Sequence, residues 1–133
     1  MNLVFVDTSA WYAAVIPSDP NHDRAKAWLA ENRSELLVTD FIVDELLTLL
    51  RSRNENRRAI ELGRNVFERG ITRIEWVTQS DVHSAWRVFR DFLDKGWSFT
   101  DCVSNVVLAR LEITQAFAFD EHFRQFGSIS IVP

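Results

Sequence analysis

The sequence predicts an α/β fold: three layers, with a central parallel sheet covered by helices on both faces. Three observations carry that reading. Short apolar runs alternate along the chain with longer segments of helical spacing. The runs are close to uniformly apolar, as strands buried on both faces are, rather than alternating apolar and polar. Helix-starting residues, Asp, Ser and Thr, follow the runs closely, as connections in a parallel sheet require.

Leu3–Val6 reads as the first buried strand. Asp7-Thr8-Ser9 then starts a helix through Val15, and Pro17-Ser18-Asp19-Pro20 is a loop. A helix fits 21–32, with Ala25, Trp28 and Leu29 on one face. A second strand covers 36–39, and Asp40 caps a helix to about Arg53. After a polar junction at 52–56, another helix fits 57–69. Ala59, Ile60, Leu62, Gly63, Val66 and Phe67 form its expected inner face, and Gly70 its stop. A third strand fits 72–77. Ser80 or Asp81 begins a helix to about Leu93, whose apolar positions Val82, Ala85, Trp86, Phe89, Phe92 and Leu93 keep helical spacing. Asp94-Lys95-Gly96 closes it. Ser98-Phe99-Thr100-Asp101 has the form of a capping box opening a helix to about Leu111. Strands at 115–119 and 129–132 flank a short turn or helix at 121–126.

The 133 residues fit one domain spanning 1–133, with no internal repeat or linker. With hydrophobic residues at 47%, five Trp and ten Phe, the chain can build a core and does not fit a disordered class. No apolar stretch reaches the ~20 residues of a membrane helix. The first apolar run lacks a basic flank and is cut by Asp7, unlike a signal peptide. The single cysteine, Cys102, excludes an internal disulfide and a thiolate zinc site. A cytoplasmic protein is expected. The net charge of −4 argues against a protein that simply coats nucleic acid. It does not exclude a nucleic-acid substrate, because a bound metal brings its own charge to a phosphate. Thirteen of the fifteen basic residues are Arg, suited to bidentate contact with phosphate or carboxylate, and many lie between Arg51 and Arg64.

Four acids stand where acids are costly. Asp7 ends Val4-Phe5-Val6, and Glu45 interrupts the apolar run from Phe41 to Leu50. Asp101 precedes Cys102-Val103, and Asp120 follows Ala116-Phe117-Ala118-Phe119. Each has a bland explanation as a cap or turn residue, except Glu45, whose helical neighbours Phe41, Ile42 and Leu49 are apolar. Buried carboxylates need compensation. A divalent ion held at the carboxyl edge of a parallel sheet would gather all four, and Mg²⁺ and Mn²⁺ favour such oxygen ligands. Hydrolysis of a phosphodiester is the chemistry this suits. Ser9 and Thr100, beside two of the acids, are candidate supporting groups. His22, His83 and His122 lack mutual ligand spacing and are expected at the surface or as caps. Trp11 and Tyr12 are expected in the core unless a partner covers them.

These residues resemble the PIN-domain ribonucleases, in particular the toxins of VapBC-type toxin–antitoxin pairs. The resemblance rests on Val4-Phe5-Val6-Asp7-Thr8-Ser9, Glu45, Trp97-Ser98-Phe99-Thr100-Asp101-Cys102 and Phe119-Asp120-Glu121-His122-Phe123, in that order along essentially the whole chain. It implies that Asp7, Glu45, Asp101 and Asp120 are catalytic and metal-binding, with Ser9 and Thr100 in support. It also implies a Mg²⁺ or Mn²⁺ cofactor, RNA cleavage, a homodimer, and a small antitoxin occupying a groove near the site. A dehalogenase-like phosphatase would want an acid two residues after Asp7, where Ser9 stands. A receiver domain would want an acid pair there and a lysine after a late strand. A PIN-like fold kept as a non-catalytic interaction module is the remaining alternative, and the intact acids count against it.

Overall fold

The structure, a computed structural model, describes residues 2–127 and 129–133. Five strands, β1 (Leu3–Val6), β2 (Glu35–Thr39), β3 (Arg73–Glu75), β4 (Gln115–Phe117) and β5 (Ser130–Val132), pair in the order β3-β2-β1-β4-β5. Every pairing is parallel. Six helices connect them: α1 (Thr8–Val15), α2 (His22–Glu31), α3 (Asp40–Ser52), α4 (Asn56–Phe67), α5 (Gln79–Asp91) and α6 (Phe99–Arg110). A 3₁₀ turn covers Glu121–Gln125. The α/β class and the parallel sheet expected from the sequence are both present.

The strand order locates the site. The chain runs outward from β1 through β2 to β3, then returns to the other side of β1 to lay down β4 and β5. That reversal leaves a crevice between the carboxyl ends of β1 and β4, the position where open parallel sheets bind ligands. Asp7 follows β1 there, and Asp120 lies just past β4. The central strand is sealed, with Val4, Phe5 and Val6 fully buried. Each such side chain stabilises the fold by about 1.5–3 kcal/mol, so the strand that carries Asp7 is held firmly.

Several local expectations are corrected. Asp40 does not cap α3. Thr39 does, its hydroxyl accepting from the Ile42 amide, while Asp40 accepts from the Val77 amide and ties α3 to the segment after β3. The helix expected from Ser80 or Asp81 is capped earlier, by Thr78 in a capping box with Asp81. β3 is shorter than expected, and β4 stops at Phe117 because the Phe119 N–H donates to Ser9 Oγ instead of to a strand.

Two helix faces read as core are partly outside it. On α4, Ala59, Leu62 and Val66 are buried, but Ile60 and Phe67 are 48% and 55% exposed. On α5 only Ala85 of the apolar stripe is fully buried and Trp86 and Phe89 face solvent; the helix ends at Asp91, short of the expected Leu93, so Phe92 and Leu93 lie exposed beyond it, Leu93 in a 3₁₀ turn over Leu93–Lys95. Periodicity identifies a helix and its apolar side but not whether a second element covers that side. The Ser98–Asp101 capping box is present as expected, and Gly96 supplies the left-handed turn (φ +67°) just before it.

Candidate active site

Asp7, Asp101 and Asp120 all cap local structure, as the bland reading of each required. Asp7 Oδ2 accepts from the amide and the hydroxyl of Ser9, at 3.1 and 2.6 Å. Asp101 Oδ2 accepts from the Ser98 amide at 3.0 Å. Asp120 Oδ1 accepts from the His122 amide at 2.9 Å. Glu45, on a half-buried flank of α3, has Oε1 engaged by the Thr8 hydroxyl. Each acid thus uses one oxygen to fix its own orientation. The second oxygen of each has no hydrogen-bond partner among the described residues. Among the described residues, the buried side-chain polar atoms without a partner are Trp11 Nε1 and Ser104 Oγ, so the four free carboxylate oxygens keep some access to solvent.

His122 completes the cluster. Its Nδ1 lies 2.9 Å from Asp101 Oδ2 and 3.3 Å from Asp120 Oδ1. Ligand atoms of Asp101, Asp120 and His122 all fall within 4.8 Å of one another. The expectation that His122 is only a surface or capping residue is therefore incomplete. The signal in the sequence is its place two residues after Asp120, since one turn of 3₁₀ helix folds that side chain back over its own cap. Thr8, the neighbour of the expected Ser9, is a further site residue that sequence reasoning does not single out. Ser9 reaches Asp7 and also the Phe119 amide, which stitches β1 to the segment carrying Asp120. Thr100 is half-buried in the first turn of α6 and makes no side-chain hydrogen bond among the described residues.

The electrostatics are those of an uncompensated cluster. Asp7 is 4% exposed. Burial pushes its carboxyl up, the Ser9 hydrogen bonds only partly oppose that, and the charges of Asp101 and Asp120 push it further, to about 7. Glu45 is raised by burial and by the same two carboxylates, against the Thr8 hydrogen bond. Among the described residues, no Arg or Lys pairs with any of the four acids; the cations of the chain are engaged with other acids or lie free of this cluster. The donors present, carboxylate oxygens with one imidazole nitrogen, fit a small divalent cation.

A family model for the PIN domain matches residues 4–128. The chain belongs to the PIN domain family. A relative in Mycobacterium tuberculosis, the 23S rRNA-specific endonuclease VapC20, is 29% identical over 131 residues, covering 98% of this chain and 99% of the relative. The crystal structure of that protein, described as a sarcin-ricin loop cleaving toxin, matches with a TM-score of 0.90 at 28% identity, over 98% of this chain and 99% of the other. Two more distant structures share the fold. FitAcB from Neisseria gonorrhoeae has a TM-score of 0.71 at 14% identity, covering 98% and 96% of the two chains. DNA-bound VapBC from Salmonella typhimurium has a TM-score of 0.70 at 11% identity, covering 98% and 97%. The PIN-like fold and the resemblance to VapBC-type toxins expected from the sequence are borne out. The family and the full-length similarity to a toxin endonuclease bear out the ribonuclease reading.

Proposed function

We propose that this protein is a divalent-metal-dependent endoribonuclease and the toxin of a toxin–antitoxin pair, with ribosomal RNA as its substrate class. The observation that carries the chemistry is the set of four acids, each with one oxygen fixed and one free, with no Arg or Lys paired to any of them among the described residues. Asp101, Asp120 and His122 are the residues whose ligand atoms are close enough to hold an ion, and Asp7 and Glu45 supply the further negative charge. Mg²⁺ or Mn²⁺ bound there would supply Lewis acidity to a phosphodiester oxygen and acidify an attacking water. The chain's own residues hold and orient. Ser9 fixes Asp7, Thr8 fixes Glu45, and the capping box holds Asp101 on the first turn of α6. The rRNA assignment is supported by the name of the relative that matches end to end.

The expected antitoxin has a candidate seat between α3 and α4, an apolar groove of about 650 Å³ lined by Leu47, Ile60 and Phe67 and flanked by Arg51 and Arg64. An amphipathic segment with acidic residues matches both its surface and its charge. Tyr12, held by Arg53 at 3.0 Å, is half-buried and stays a contact candidate, whereas Trp11 is in the core and does not. A cytoplasmic location goes with activity on RNA, and no helix among the described residues is long and apolar enough to cross a membrane. A homodimer is part of this reading, with the solvent-facing aromatic stripe of α5 as the surface it would cover.

Purified ribosomal RNA incubated with the protein, with 5′ ends mapped afterwards, tests the function. Discrete new ends that need Mg²⁺ or Mn²⁺ and disappear in chelator are expected. Intact RNA, or cleavage undiminished by chelator, would overturn the reading.

A further inference from the structure

A second feature of the carboxyl edge lies beside the acids and is not used by them. A polar cleft of about 250 Å³ opens next to Asp120, with Asn21 and Arg24 from the start of α2 on one wall and Arg124 with Glu121 on the other. Asp120 borders both this cleft and the acid cluster, so whatever occupies the cleft is the immediate neighbour of whatever is cut.

Arg24, like Arg53, is held over an aromatic ring, and of the two it is the one that lines this cleft. Its guanidinium carbon lies over the Phe119 ring, 5.4 Å from the centroid. Among the described residues, no acid lies within ion-pair distance of it. The ring restrains the planar group without neutralising it. Phe119 is itself fixed, because its amide donates to Ser9 Oγ, which also holds Asp7. Arg24 is therefore positioned by the same stitch that positions the central acid. Arg124 pairs with Glu121 at 3.1 Å, but both side chains are well exposed, and an exposed pair of that kind opens at little cost.

An RNA strand has a phosphate at every nucleotide, and an uncompensated acid cluster repels all of them. A nuclease with a net charge of −4 needs local cations beside the cut to hold the polyanion. We propose that the Arg24–Asn21–Arg124 cleft is a phosphate subsite that holds the RNA backbone next to the scissile bond. Arg24 is its fixed donor fork, and Arg124 is recruited from Glu121. This inference rests on the ribonuclease reading above and specifies where its substrate lies.

The test is binding of a fluorescein-labelled 2′-O-methyl oligoribonucleotide of about 12 nucleotides in Mn²⁺, followed by anisotropy across a range of salt. Losing one phosphate contact on a single strand lowers the magnitude of the log K against log salt slope by about 0.7. Arg24→Ala should show that loss, with binding weakened about five-fold at low salt. Arg24→Lys should keep the slope, and Arg33→Ala, exposed in the turn before β2 with its guanidinium bonded only to the Ala30 and Asn32 carbonyls, should leave both quantities unchanged. Cleavage of ribosomal RNA by Arg24→Ala should show a raised KM with kcat nearly intact. Slope and affinity unchanged in Arg24→Ala, with wild type binding normally, would overturn the subsite alone. No salt-dependent binding by the wild type would overturn the subsite and the ribonuclease reading together.

Discussion

Two aspartates of this protein are almost equally shielded from solvent, Asp7 deep in the fold and Asp81 near its surface under Arg110, and the chain treats them in opposite ways. Asp81 at the start of α5 is 3% exposed, and Asp7 at the end of β1 is 4% exposed. Burial pushes both carboxyls up. At Asp81, Arg110 answers with two hydrogen bonds of 2.8 Å, the Thr78 amide and hydroxyl add theirs, and the net shift is downward. At Asp7 only Ser9 answers, two further acids face it, and the carboxyl rises to about 7. A charge settled by the chain's own residues serves the fold. A charge left unsettled at the crevice between β1 and β4 leaves room for a cation from outside, and under the proposed function this is what separates the acids of the site from those of the fold.

The largest expected effect lies on the unsettled side. Asp101→Asn keeps the shape of the side chain and its cap but removes a charge from the cluster. RNA cleavage measured at saturating Mn²⁺ should fall by at least about 100-fold, the upper end of what even outlying changes at metal sites cost. Asp81→Asn should cleave within a few-fold of wild type. Comparable losses from both would erase the distinction.

Next comes stability. Arg110→Met leaves Asp81 buried without its cation. Breaking such a pair costs about 3–5 kcal/mol when fully buried, and Arg110 is about a third exposed, so about 2 kcal/mol is expected in urea melts at pH 7. Because the folded Asp81 carboxyl sits below its ordinary range, its contribution is present above that range and fades as pH falls through it. The penalty of Arg110→Met should therefore shrink in acid.

Asp7 should show the opposite slope. The folded carboxyl keeps its proton to about pH 7, whereas an unfolded one releases it near 3.8. The folded state binds more protons between those values, so the metal-free protein loses stability as pH rises from about 4 to 7. Asp7→Asn carries no charge, and Asn caps a helix about as well as Asp. In chelator it should match wild type at pH 4 and exceed it at pH 7, by about 1.4 kcal/mol for every tenfold by which folding weakens the acid. Melts of both proteins at pH 4, 5.5 and 7 check this. A variant less stable than wild type at pH 7 would make Asp7 chiefly structural.

The two regions also differ in how openly the sequence displays them. The crevice acids are legible because each is an acid beside an apolar run, and uniform apolar runs give away the parallel sheet that gathers their ends. Local capping explanations for Asp7, Asp101 and Asp120 do not compete with that reading, since one carboxylate oxygen serves the cap and the other stays free. His122 is hidden because its contact with Asp101 spans 21 residues of sequence. Thr8 and Ser9 are adjacent helix-starting hydroxyls, and only the packing of α3 against α1 decides that Thr8 reaches Glu45. The Asp81–Arg110 pair is invisible for the same reason, a partner 29 residues away on a different helix. The exposed stripe of α5 shows the limit of periodicity, because Trp86 and Phe89 keep their helical spacing and are 52% and 40% exposed.

Calorimetric titration of the metal-free protein with Mn²⁺ and Mg²⁺ tests most directly that the unsettled acids hold a cation. Wild type and Asp81→Asn should both bind, with melting temperatures that rise as the ion is added, while Asp101→Asn should bind at least about ten-fold more weakly. Absence of binding by the wild type, or equal binding by Asp101→Asn, would contradict the account.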